Sequence, residues 1–250
     1  MRYFITLAYC GTNYCGWQKQ PNGVSVQQML TDALCMVLRE SVSVVAAGRT
    51  DAGVHAAKMV VHCDVVQPID DVSRCVSRLN GVLPCDIVVY DIQPVADTLH
   101  ARFDAVSRRY EYHVRLRKSP FAVDLAWCLS FVPDFDAMNA AAAVLSEYSD
   151  FTSFSKTHTD VKTNICTIVD AHWEQRGAYE WVFCIEANRF LRNMVRAIVG
   201  TLINVGLEKI AISDMHQIIE SKSRGQAGFS VPAHGLYLTK VVYPYINETD

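Results

Sequence analysis

Val42-Ser43-Val44-Val45-Ala46-Ala47-Gly48-Arg49-Thr50-Asp51-Ala52-Gly53-Val54-His55-Ala56 passes from one β-branched stretch to another through a short polar loop. Residues 42–46 and 54–63 both read as strands, so the loop joins two extended segments. Gly48 and Gly53 permit backbone geometries and close approaches that a side chain would block. Three consecutive residues, Arg49, Thr50 and Asp51, supply a cation, a hydroxyl and a carboxylate. Taken alone, such a segment is a turn whose Thr and Asp bond their own backbone and whose Arg is solvated.

Working outward, residues 2–9 read as a strand. Ser25-Val26-Gln27-Gln28 reads as a capping box, Ser25 accepting a helix N–H while Gln28 reaches back. Val26, Met29, Leu30, Ala33, Leu34, Val37 and Leu38 continue at helical spacing. A second helix is expected over 72–79, with Asp71 as N-cap and Gly81 as stop, then a strand over 87–91. The second half repeats the order. A strand over 110–116 precedes an alanine-rich helix over 136–145. Strands over 165–174 and 179–187 flank a turn at Arg176-Gly177. The longest helical pattern covers 190–205, a shorter one 214–221, and a strand over 236–242 follows. Each half therefore approximates strand–helix–strand–strand–helix–strand, the ferredoxin-like order. The fold class is α+β: two such halves, 1–103 and 104–250, with largely antiparallel sheets, a joint near 100–106 and a central cleft as the natural ligand site.

Composition sets the class and leaves the activity open. Half of the 250 residues are apolar and one fifth are charged, an ordinary globular composition. No apolar run approaches the roughly 20 residues of a bilayer span, and the polar interruptions in residues 1–14 argue against a leader peptide, so a cytoplasmic location is expected. The nine cysteines form no Cys-x-x-Cys pair and the eight histidines show no ligand spacing, so buried reduced thiols are expected and no metal site. A formal net charge of −3 gives no global signal for nucleic acid; only local basic patches could supply one.

The segment Gly48–His55 resembles the G-R-T-D-A-G-V-H signature of the tRNA pseudouridine synthase A family at all eight positions. Further motifs follow in the family's order: Gly16-Trp17-Gln18-Lys19-Gln20, His100-Ala101-Arg102-Phe103, Arg108-Arg109-Tyr110, Asp150-Phe151-Thr152-Ser153-Phe154, Met194-Val195-Arg196 and Gly235-Leu236-Tyr237-Leu238. One position departs, Cys10 standing where the family commonly has an acid before Gly11.

The resemblance implies conversion of uridine to pseudouridine, with Asp51 as the essential carboxylate, acting either as a nucleophile or by moving a proton. No cofactor or metal is required, because nothing is oxidised or hydrolysed overall. An enclosed carboxylate needs a nearby cation to stay ionised, and the resemblance assigns this to Arg196. On an expected helix over 190–205, Arg189, Arg192 and Arg196 share a face apart from the apolar stripe. Tyr110 is implied to stack on the target uracil. Arg49 either fills the space left by an extruded base or contacts phosphate. Lys19, Arg102, Arg108 and Arg109 are backbone-contact candidates, Leu236 packs beside the site, and His55 orients the loop or lies in the core. The implied partners are tRNA, at uridines 38, 39 and 40 of the anticodon stem-loop, and a second copy of the chain in a homodimer; no membrane is involved. The alternatives are a synthase acting elsewhere in RNA, a catalytically silent RNA-binding module, and a small-molecule enzyme on the same scaffold.

Overall fold

A computed structural model describes residues 1–21, 23–156 and 163–245. In chain order the elements are β1 (Arg2–Tyr9), α1 (Val26–Leu38), β2 (Val44–Ala46), β3 (His55–Asp64), α2 (Val72–Val82), β4 (Ile87–Val95), β5 (Ser107–Arg115), β6 (Trp127–Cys128), α3 (Phe135–Ala143), β7 (Ile168–Gly177), β8 (Glu180–Ala187), α4 (Met194–Gly206), α5 (Asp214–Glu220) and β9 (Leu236–Val242). The chain is α+β, and strand pairing is largely antiparallel. It divides into two compact units, Met1–Val106 with the chain from Tyr237 onward, and Ser107–Leu236.

In the first unit β1 lies between β3 and β4, antiparallel to both, and β2 extends from β3. The closing strand pairs parallel with β3 through His55 with Tyr237 and Ala56 with Leu238. Alternation explains the burial: Ile5 and Leu7 of β1 and Met59 and Val61 of β3 are fully enclosed, together with Leu30 and Leu34 of α1 and Leu79 of α2. Ser25 caps α1 by accepting from the Gln28 N–H at 3.2 Å, and Asp71 caps α2 by accepting from Arg74 at 2.8 Å. Each such cap is worth about 1 kcal/mol. The reciprocal half of the expected capping box does not form, because the Gln28 amide donates to Asp32 at 2.6 Å instead. Nor does Gly81 stop α2. The helix runs to Val82 and ends where Pro84 forces Leu83 into extended backbone (φ −67°, ψ 147°).

In the second unit β8 joins β5 and β7, antiparallel to both, and β6 makes a short parallel pair with β5. Tyr112, Phe183, Met138, Ala142, Ile198 and Leu202 are fully buried. Phe135 opens α3 stacked on Trp181, with ring centroids 3.8 Å apart and an interplanar angle of 3°. The β7–β8 turn falls at Ala178-Tyr179, later than expected, since Gly177 still pairs with Glu180 and a register shift between Gln175 and Gly177 absorbs Arg176. The helix expected from residue 190 begins only at Met194. Asn193, at φ +67°, is left-handed, a conformation Asn tolerates but a helix interior does not. The shared face of Arg189, Arg192 and Arg196 therefore does not exist, and only Arg196 is helical. Among the described residues no helix is long and apolar enough to cross a membrane.

Candidate active-site loop and its partners

Asp51 lies in the β2–β3 connection, half-buried, between buried Thr50 and exposed Ala52. The segment after β1 holds this loop. Trp17 N–H donates to the Thr50 carbonyl at 3.1 Å, and Gly53 N–H donates to the Tyr14 carbonyl at 3.3 Å. Val54 N–H closes the turn on the Asp51 carbonyl at 3.1 Å. The Tyr9 and Thr50 hydroxyls are 2.8 Å apart in a buried pair. Two glycines make the approach possible. A Cβ on Gly11 would stand 2.0 Å from the Val54 carbonyl oxygen; one on Gly16, which has φ +91°, would stand 2.5 Å from that of Thr50. Glycine at both positions is a steric requirement of the loop.

His55 follows the loop at 1 % exposure. Its Nδ1 accepts from the Gly11 N–H at 3.0 Å, which leaves the ring proton on Nε2, and its ring stacks on Tyr237 at 4.5 Å. It lies in the core and ties the start of β3 to Gly11. Where the family has an acid, Cys10 Sγ lies 3.4 Å from the Thr12 hydroxyl. An acid enters from elsewhere. Asp86 accepts from the Tyr14 hydroxyl at 2.5 Å and the Asn13 amide at 3.2 Å, and its carbonyl accepts the Cys10 N–H at 2.9 Å. Burial and then Asp86 push the Tyr14 phenol well above its usual range. Asp86 and Tyr9 were missed in the sequence, since only chain folding brings them to the loop.

Tyr110 and Arg196 both belong to the second unit. Tyr110 alternates on β5 with Arg108, Tyr112 and Val114, all buried, and meets Phe190 edge to face at 5.1 Å. Arg196 stands in the first turn of α4, where its Nε donates to the Val231 carbonyl at 2.7 Å. A cation there faces the positive end of the helix dipole, which costs about 0.3–1 kcal/mol unless an anion compensates. Tyr112 donates to the Pro232 carbonyl at 2.8 Å; burial raises its phenol while the Arg196 charge pulls it down. Gly235 lies flat against that ring, a Cβ there being 2.8 Å from its Cζ, and Leu236 follows, buried.

The remaining basic residues separate. Arg49 and Arg102 are exposed, the latter over the Phe103 ring at 5.9 Å, and Lys19 is exposed as well. Arg108 is not a surface contact: at 9 % exposure its guanidinium donates to the Asn188 carbonyl at 2.8 Å. Arg109 alternates to the opposite face of β5 from Tyr110, where a hydrogen bond to Cys184 raises its pKa. That face carries an ion-pair lattice. Arg176 bonds Glu111 at 2.8 Å and Glu174 at 2.7 Å. Burial raises Glu111, but hydrogen bonds from His113 and Arg176 outweigh it and hold the carboxyl at about 2. His172, Glu174 and Cys184 place ligand atoms within 4.8 Å of one another, the one such group among the described residues. Arg176 already occupies Glu174, and the Arg109 guanidinium stands at Cys184, so a divalent cation would meet two like charges. All nine cysteines are free thiols, and burial pushes Cys63 up to about 12.

A family model described as tRNA pseudouridine synthase matches residues 5–104 and 142–244. The chain is 54 % identical over 243 residues to a tRNA pseudouridine synthase A from Parabacteroides distasonis, covering 97 % of this chain and 96 % of that protein. It is 55 % identical to one from Porphyromonas gingivalis, covering 97 % of each. A more distant relative of the same name, from Exiguobacterium, is 39 % identical over 98 % of this chain and 99 % of its own length.

Proposed function

The chain belongs to the tRNA pseudouridine synthase family, whose members are isomerases, and from that premise we propose that Asp51 is the carboxylate that drives isomerisation of uridines 38, 39 and 40 in the anticodon arm of tRNA. In this reaction N1–C1′ breaks, C5–C1′ forms, C5 loses its proton and N1 gains one, so no redox partner is consumed. Both a nucleophilic attack by the carboxylate and its service as a proton carrier need it ionised on arrival of the base.

Arg196 supplies the charge that keeps it so. Its unfavourable place at the positive end of α4 supports this role, because a carboxylate beside it turns that cost into a gain. Tyr110 stacks on the uracil, a contact worth about 1–3 kcal/mol. Arg49 and Arg102, both exposed, contact the RNA, and Leu236 lines the site. Two ferredoxin-like halves, 1–103 and 104–250, with the catalytic cleft at their junction, a cytoplasmic location and a homodimer complete the reading.

The observation that carries it is the pinning of the Asp51 loop by backbone and side-chain ties to residues 9–17. Such rigidity is unneeded in a solvated turn and is required of a group that must meet one carbon atom. The test is pseudouridine mapping in tRNA from cells with and without this chain. Loss of pseudouridine at 38, 39 and 40 alone is expected; loss at other positions, or none, would contradict the assignment.

A further inference from the structure

We propose that Tyr9 is a positioning residue for the isomerisation, acting through Thr50 on Asp51; this rests on the reading of Asp51 as the catalytic carboxylate. Tyr9 is the last residue of β1, 4 % exposed, and its hydroxyl lies 2.8 Å from that of Thr50, itself 7 % exposed. The Thr50 carbonyl belongs to the peptide that enters Asp51, and Trp17 N–H holds it at 3.1 Å. Beyond Asp51, Gly53 N–H is tied to Tyr14 at 3.3 Å. The backbone on both sides of Asp51 is therefore tied to the segment after β1.

Among these ties the Tyr9–Thr50 bond alone joins two side chains, 41 residues apart in sequence. Stability does not demand it. Replacing both partners of a buried hydrogen bond by apolar groups of the same shape is nearly neutral, whereas removing one partner strands the other. What the pair adds is position: it anchors the Thr50 side chain to the end of β1 and so restrains the residue that leads into Asp51. A displacement of about 1 Å at a reacting group costs on the order of 100-fold in rate.

The experiment compares Tyr9→Phe, Thr50→Val, the double variant and Thr50→Ser in single-turnover isomerisation of a tRNA transcript, with tRNA affinity and thermal melting measured alongside, and Asp51→Ala as reference. Each single variant is expected to lose about tenfold or more in rate at unchanged affinity. The double variant should lose no more than the singles although its melting temperature recovers, and Thr50→Ser should restore the rate. Rates that follow melting temperature across the series overturn the proposal. A Tyr9→Phe rate within about twofold of the parent, beside an inactive Asp51→Ala, overturns it and leaves Asp51 standing. An active Asp51→Ala removes both.

Discussion

Two histidines of β3 are held by backbone donors: His55 Nδ1 accepts from Gly11 N–H at 3.0 Å and His62 Nδ1 from Ala101 N–H at 3.1 Å. A proton on either nitrogen would oppose its donor and break the tie. At His62 burial first, then the charge of Arg2 and the neighbouring His100, depress the pKa to about 4. The unfolded chain, with its histidine near 6.5, then binds more protons than the folded one between those values. This contribution is fully present above about pH 6.5 and disappears as pH falls toward about 4, amounting to at most about 3 kcal/mol. Thermal melts of the parent should decline across that window beyond the loss due to carboxylates, and His62→Gln should flatten the decline there. Equal slopes for both proteins would show that His62 does not govern the acid response.

At the scale of elements, the β2–β3 loop depends on glycines outside it. Gly16→Ala would place a methyl 2.5 Å from the Thr50 carbonyl oxygen at φ +91°, so clash and backbone strain act together. A loss of about 2–4 kcal/mol of stability is expected, with turnover falling further than melting alone explains. Denaturant unfolding with parallel kinetics checks this, and a Gly16→Ala protein of normal stability and rate would contradict the packing described. Regular elements were legible in the sequence: β1 and β9 occupy the residues read as strands, and α1 starts at the Ser25 cap. The misses share a cause. Residues 190–193 carry helical spacing, yet one left-handed Asn193 delays α4, and Gly81 stays helical because Pro84, three residues on, is the stronger terminator. Backbone torsion at single residues is invisible to periodicity.

For the whole molecule, the motif around Asp51 was legible because its residues are consecutive. The groups that shape it were not, since Tyr9 and Thr50 are separated by 41 residues and Tyr14 and Asp86 by 72. Arg108 shows the reverse error: a basic residue beside a tyrosine suggests phosphate contact, but strand alternation turns it inward onto the Asn188 carbonyl. If Asp51 is the catalytic carboxylate, it is indispensable to chemistry and dispensable to recognition. Single-turnover isomerisation of an anticodon-arm tRNA by Asp51→Asn, with tRNA binding measured on the same preparation, tests this most directly. The expected result is a rate reduced by about 1000-fold or more at a Kd within about threefold of the parent. An Asp51→Asn protein that forms pseudouridine at the parent rate would contradict it.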